Sequence, residues 1–255
     1  MSTSAASLVE IFSAIQGEGP WVGQRQIFVR LLGCDIKCAY CDTPDTHMKV
    51  REARVEQTAG ARDWAPMSNP APLAQVVDAV ARLDRPAGLH RWISLTGGEP
   101  LLYASFLLQL LPALKAACPL PAYLETHGLA VEAMEQTAPH IDYVSMDWKI
   151  ASATREAVQP DRHRAFLNVL ANSATDHFVK LVVVPETTDA ELEEAARAIN
   201  DVDRATVTVL QPVTPYGVVT ASPDAAQMLQ WQALLSAHLD DVRVIPQTHV
   251  QIGQL

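Results

Sequence analysis

From residue 91 onward, short apolar runs alternate with segments of helical period, and that alternation leaves few folds open. Residues 91–95, 122–126, 143–149, 177–184, 205–210 and 242–245 read as strands, rich in branched and apolar side chains. Between them, residues 101–117, 131–137, 161–172, 189–199 and 223–238 read as helices, with apolar side chains at three- and four-residue spacing. Two earlier strands, 9–15 and 26–32, and a helix over 72–83 opened by Pro72 complete the pattern. Repetition of strand and helix makes a mostly parallel sheet with helices packed outside it. Pro112 predicts a kink or break in helix 101–117. Residues 49–70 are polar and irregular, with Trp64 as their bulky anchor, and read as an insertion or flap. A chain of 255 residues can close over a single core, so one domain spanning 1–255 is expected.

In parallel α/β barrels the site lies at the C-terminal ends of the strands. Three of the four cysteines, Cys34, Cys38 and Cys41, follow strand 26–32 with the spacing C-x3-C-x2-C. Three thiolates from one loop can hold three irons of a cubane cluster and leave the fourth iron open. Two other readings exist for the same loop. Zinc would take a fourth ligand, such as His47 or Asp42, or the cysteines are core thiols. Cys118, in an apolar segment, reads as structural. The run Gly97-Gly98-Glu99-Pro100 follows another strand, where glycines let the backbone approach a ligand.

The formal net charge of −10 argues against broad nucleic-acid binding. Lys37, Lys49, Arg51 and Arg54 gather near the cysteine loop and read as a solvated basic patch ahead of a docking face. No stretch reads as a membrane span or a leader, so a cytoplasmic protein with reduced thiols is expected.

With C-x3-C-x-aromatic-C after one strand and Gly-Gly-Glu-Pro after another, the chain resembles the radical S-adenosylmethionine (SAM) enzymes. Within them it is similar to the 7-carboxy-7-deazaguanine synthases. The segments that carry the likeness are 12–19 (Phe-Ser-Ala-Ile-Gln-Gly-Glu-Gly), 30–34, Cys41-Asp42-Thr43, 125–128 (Glu-Thr-His-Gly), Gln211-Pro212 and Gln247-Thr248-His249. The resemblance implies a trimmed, partial (β/α) barrel and a [4Fe–4S] cluster on Cys34, Cys38 and Cys41. It implies ring contraction of 6-carboxy-5,6,7,8-tetrahydropterin to 7-carboxy-7-deazaguanine with loss of ammonia, on the route to queuosine and related 7-deazapurines. It further implies Mg²⁺, a homodimer and a one-electron donor such as flavodoxin.

Carried onto this chain, the resemblance assigns SAM to Tyr40, Gly97, Gly98, Glu99, Ser145, Lys149 and Gln211. The segment 145–149 reads Ser-Met-Asp-Trp-Lys where the family has a shorter Ser-Pro-Lys, which leaves Asp147 and Lys149 both open as the SAM contact. Thr43 would be a ligand of Mg²⁺. Ile15, Gln16, Glu18, Arg30, Thr96, Gln247, His249 and the terminal Leu255 would hold the pterin, and a folded-in terminus would offer its own carboxylate. Arg suits that substrate's carboxylate because its planar fork donates two hydrogen bonds. Two alternatives differ in class: an activating enzyme that installs a glycyl radical on a partner protein, and a non-enzymatic zinc-binding module.

Overall fold

The computed structural model describes residues 4–254. In chain order its elements are β1 (Ala5–Ala6), β2 (Leu8–Ile15), β3 (Arg25–Leu31), β4 (Glu52–Glu56), β5 (Trp64–Ser68), β6 (Ala71–Pro72), α1 (Leu73–Leu83), β7 (Trp92–Gly97), α2 (Ala104–Ala117), β8 (Ala122–Thr126), α3 (Val131–Thr137), β9 (Tyr143–Asp147), α4 (Ala151–Thr154), α5 (Pro160–Ala171), β10 (Asp176–Val183), α6 (Asp189–Asp203), β11 (Thr208–Pro212), α7 (Ala225–Ser236), β12 (Val242–Val244) and α8 (Thr248–Gln251). Ten strands form one sheet in the order β12-β11-β10-β9-β8-β7-β3-β2-β4-β5, and β1 pairs with β6 apart from it. Every pairing from β12 to β3 is parallel, whereas β2–β3 and β4–β5 are antiparallel. The sheet begins and ends on different strands, β12 and β5, and so stays an open, mostly parallel array with helices.

Residues 49–70 form the hairpin β4–β5, and β4 joins the sheet beside β2 through the pairs Glu10–Arg54 and Ile11–Val55. Arg54 is drawn into this hairpin, donating to Glu10 at 2.8 Å and lying 5.2 Å from the Trp64 ring. Helix α2 continues across Pro112 without a break. Its buried leucines at 107, 110, 111 and 114 hold it against the core despite the missing N–H donor. Contrary to the sequence expectation, one stretch does reach spanning length: Pro100–Ala117 is an 18-residue helical run apolar enough to cross a bilayer. Here that apolarity serves the core.

The period-2 alternation of strands decides what lies on each face. Ile27, Val29, Ile93, Leu95, Leu124, Val144, Val179, Leu181 and Leu210 belong to the main core cluster with the helices. The alternate residues face the concavity. Its lower end is filled by a second cluster of Trp92, Tyr123, Tyr143, Phe178 and Val209, with Trp21 packed on it. Tyr123 and Tyr143 stack with centroids 5.6 Å apart, and Trp21 meets Tyr143 edge-on at 5.4 Å. One step further along the same strands the side chains turn polar: Ser94, Glu125, Ser145, Lys180 and Gln211. The aromatic layer is therefore the floor of a cavity whose walls are polar.

Phe178 is fully buried in that floor. Replacing Phe178 with Ala should cost about 3–5 kcal/mol, because the rings around it cannot collapse into the hole. Urea unfolding of the two proteins measures the difference.

Candidate active site

Above the aromatic floor lies a cavity of about 610 Å³, near the middle of the range for small-molecule sites. Cys34, Cys38 and Cys41 line it, on the loop that leaves β3. That loop is tied down by backbone bonds from Gly33 N to Thr46 O (2.8 Å) and from Ala39 N to Thr154 O (2.9 Å). Burial pushes the Cys34 thiol up to about 11 and raises Cys38 as well. Uptake of a metal centre there must release their protons. Among the described residues no three His, Cys, Asp or Glu side chains converge on a single-ion site. Three spread thiols suit a cluster in which each sulfur takes its own iron. Cys118 lies elsewhere, buried, with its Sγ 3.4 Å from Asp84 Oδ2.

The residues after β7 sit beside this loop. Gly97 has φ +133°, and a Cβ there would lie 2.1 Å from Leu31 O; one on Gly98 would lie 2.0 Å from Gly33 O. These glycines admit the backbone of the cysteine loop itself, and both line the cavity. Glu99 does not. Its carboxylate is fully buried and accepts bonds from Leu101 N, Thr126 Oγ1 and His127 N, so it fixes the turns after β7 and β8. His127 Nε2 in turn reaches Asp35 at 2.8 Å. Burial opposes a charge on that ring, but Glu99 and Asp35 together raise its pKa above the ordinary value.

Charged groups fill the middle of the wall. Lys149 Nζ donates to Asp147 Oδ2 at 2.8 Å and to Tyr40 Oη at 3.0 Å. Lys180 Nζ lies between Asp147 Oδ2, at 3.4 Å, and Glu18 Oε2. Burial works against ionising both carboxylates, yet the two ammonium groups hold Asp147 below its ordinary range, and Lys180 does the same for Glu18. Two buried oxygens on this wall have no partner, Asp147 Oδ1 and Gln211 Oε1. Such atoms cost free energy unless a ligand donates to them. Ser145 lies among these groups on the same wall.

The rest of the lining comes from β2, β3 and the segment around α8. Arg30 is held by its Nε on Glu10 at 2.9 Å and lies 5.5 Å from the Phe12 ring, and it lines the cavity. Gln16 is committed within the protein: Nε2 donates to Glu125 at 2.9 Å, and Oε1 accepts from Glu18 N. Thr96 Oγ1 donates to the other oxygen of Glu125 at 2.6 Å. Gln247 Nε2 bridges Glu18 (2.7 Å) and Asp42 (3.0 Å), and His249 packs on Gly17. Ile15 lines the cavity, and its N–H donates to Gln254 Oε1 at 2.8 Å, so the tail folds over the end of β2 that runs past its pairing with β4. Thr43 lies at the rim, its Oγ1 3.8 Å from Cys41 Sγ. Leu255 lies outside the described residues.

The model of the radical SAM superfamily matches residues 29–199. A 7-carboxy-7-deazaguanine synthase of Geobacter sulfurreducens is 43% identical over the whole of both chains. The chain belongs to the 7-carboxy-7-deazaguanine synthase family of radical SAM enzymes. Among solved structures, QueE from Escherichia coli superposes with a TM-score of 0.59 at 23% identity, covering 96% of this chain and 95% of that one. A domain of the pyruvate-formate lyase-activating enzyme from Bacteroides vulgatus gives 0.50 at 15% identity and covers only 60% of this chain. These likenesses show the shared fold. Full-length identity to a synthase separates this family from the glycyl-radical activating enzymes, and radical SAM membership sets aside the zinc-binding module.

A radical SAM enzyme of this family carries a [4Fe–4S] cluster and uses SAM. The donor set fits both: three cavity-facing thiols on one loop, and unpartnered Asp147 Oδ1 and Gln211 Oε1 beside them. Glu125 stood in the sequence only as part of the Glu-Thr-His-Gly segment, Asp147 was left open, and Lys180 was passed over. Each falls on the concave face by strand alternation, which is the signal that finds them.

His163 supports the wall from behind, stacked on Trp148 at 4.8 Å with Nε2 3.1 Å from His127 O. Burial pushes its pKa down to about 4. The unfolded chain takes up a proton near pH 6.5 that the folded ring refuses until about pH 4, so stability falls as pH drops through that window. Between pH 7 and 4.5 the cluster-free protein should lose about 2–3 kcal/mol more than its His163→Phe variant, read by urea unfolding at each pH.

Proposed function

We propose that this enzyme contracts 6-carboxy-5,6,7,8-tetrahydropterin to 7-carboxy-7-deazaguanine with loss of ammonia. One observation carries the reading beyond family membership. A single cavity is lined by the three thiols and by Arg30, Glu18 and Glu125, so a radical source and an anion-binding, donor-accepting set share one space. When bound, the cluster and SAM supply hydrogen-atom abstraction.

The chain's own residues bind and orient. Cys34, Cys38 and Cys41 hold the cluster. Tyr40, the Gly97–Gly98 edge, Ser145, Asp147, Lys149 and Gln211 hold SAM, while Glu99 acts from behind by fixing the turns. The Arg30 fork, anchored by Glu10 through Nε, presents its remaining N–H groups to the substrate carboxylate. Glu18, Glu125 and Gln247, with Gln16 and Thr96 behind them, meet the donor edge of the pterin, and Ile15 and His249 complete the lining beside them. Thr43, at the rim, is a ligand for Mg²⁺, which keeps waters and few protein oxygens. The whole chain acts as one domain, in the cytoplasm, as a homodimer fed by a flavodoxin-like donor. Such positioning is worth roughly 7 kcal/mol or more when orientation is strict.

Anaerobic incubation with SAM, a reductant, Mg²⁺ and the carboxytetrahydropterin should give a product whose mass corresponds to loss of ammonia. Unchanged pterin from a protein with an intact cluster rejects the proposal. Arg30→Met should raise KM for the pterin about tenfold to a hundredfold, the scale of a charged hydrogen-bond pair. Thr43→Ala should weaken the rate response to Mg²⁺, and an unaltered Mg²⁺ titration removes Thr43 as a ligand.

A further inference from the structure

Tyr40 and Asp42 are two residues apart on the cysteine loop, yet they are also joined the long way round the cavity. Tyr40 Oη accepts from Lys149 Nζ, and Lys149 and Lys180 both donate to Asp147 Oδ2. Lys180 also donates to Glu18 Oε2. Gln247 Nε2 donates to Glu18 Oε1 and returns to Asp42 Oδ2. The result is a closed ring of side chains drawn from β9, β10, the turn after β2, the segment before α8 and the cysteine loop. Its cofactor half is Tyr40, Lys149 and Asp147. Its substrate half is Glu18, Gln247 and Asp42. Among the described residues Lys180 is the side chain of this ring that touches both halves.

We infer that Lys180 is a positioning residue that couples occupancy of the SAM side to occupancy of the pterin side. The inference rests on the function proposed above. One ammonium here serves two carboxylates. Asp147 Oδ1 is buried without a partner and lines the cavity, so a ligand that donates to it draws charge from Asp147 toward itself. Lys180 is then released more fully to Glu18, and the Glu18–Gln247 pair is set for the second ligand. The same logic runs backwards, because coupling between two binding sites is reciprocal. Two carboxylates keep the Lys180 charge fixed, its pKa raised above the ordinary lysine value despite burial. Such a group orients its neighbours and does not deliver protons at neutral pH.

The test is equilibrium binding on the cluster-loaded protein, under anaerobic conditions with Mg²⁺ and no reductant, so that nothing turns over. Saturating carboxytetrahydropterin should lower the Kd for SAM about tenfold in the wild type, and saturating SAM should lower the pterin Kd by the same factor. In Lys180→Met both factors should fall to within twofold of unity, with cluster absorbance unchanged. Lys180→Arg, which keeps the charge, should restore most of the coupling. Should Lys180→Met fail to fold, Gln247→Ala opens the ring at its partly exposed side and should also lose most of the coupling. Wild type without coupling, or Lys180→Met with coupling intact, overturns the inference. Wild-type protein that binds both ligands with coupling but yields no ring-contracted product in the turnover assay overturns the proposed function instead.

Discussion

A curved parallel sheet must fill its own concave face, and everything at this site depends on where that filling stops. The strands deliver every second side chain inward. Trp92, Tyr123, Tyr143, Phe178 and Val209 close the lower part with contacts that aromatic rings make well. Had the next layer been apolar too, the fold would be a solid block. Instead Ser94, Glu125, Ser145, Lys180 and Gln211 stand there, and the space above them remains open.

Opening a cavity with charges carries a cost. A buried carboxylate or ammonium loses hydration worth several kcal/mol, which pairing only partly offsets. This chain meets that requirement by sharing: Lys180 serves Glu18 and Asp147, Lys149 serves Asp147 and Tyr40, and Gln247 serves Glu18 and Asp42. Removing one member leaves another buried charge unpaired. The wall is thereby rigid where ligands must be oriented, and incomplete at the two oxygens that ligands can satisfy.

Much of this was legible in the residues. Periodicity located the parallel strands and outer helices to within a few positions, because branched runs and three- and four-residue spacing are set locally. The cysteine loop, the glycine pair and the Gln16–Glu18 turn were legible because their chemistry is rare. What escaped was non-local. Glu99 lies inside a recognisable motif, but its carboxylate spans to the turn after β8, a contact no linear pattern encodes. Lys180 sat unnoticed in an apolar strand, although its even spacing with Phe178 and Val182 places it inward. Residues 49–70 looked irregular because a two-stranded edge hairpin needs no apolar run, only pairing with β2 and an Arg54–Trp64 contact.

That hairpin carries one more implication. It stands at the edge of the sheet where a complete barrel would place further staves, and Glu56, Arg62 and Trp64 from it join the cavity lining. Within the sheet it pairs with β2, and Ala53 and Val55 anchor it in the core cluster to which α1 also contributes. Lengthening, shortening or recolouring this stave would reshape the part of the chamber that Glu56, Arg62 and Trp64 line. Because the hairpin is a separate stretch of chain from Cys34–Cys41, the chamber can change shape there without any change in the cysteine spacing.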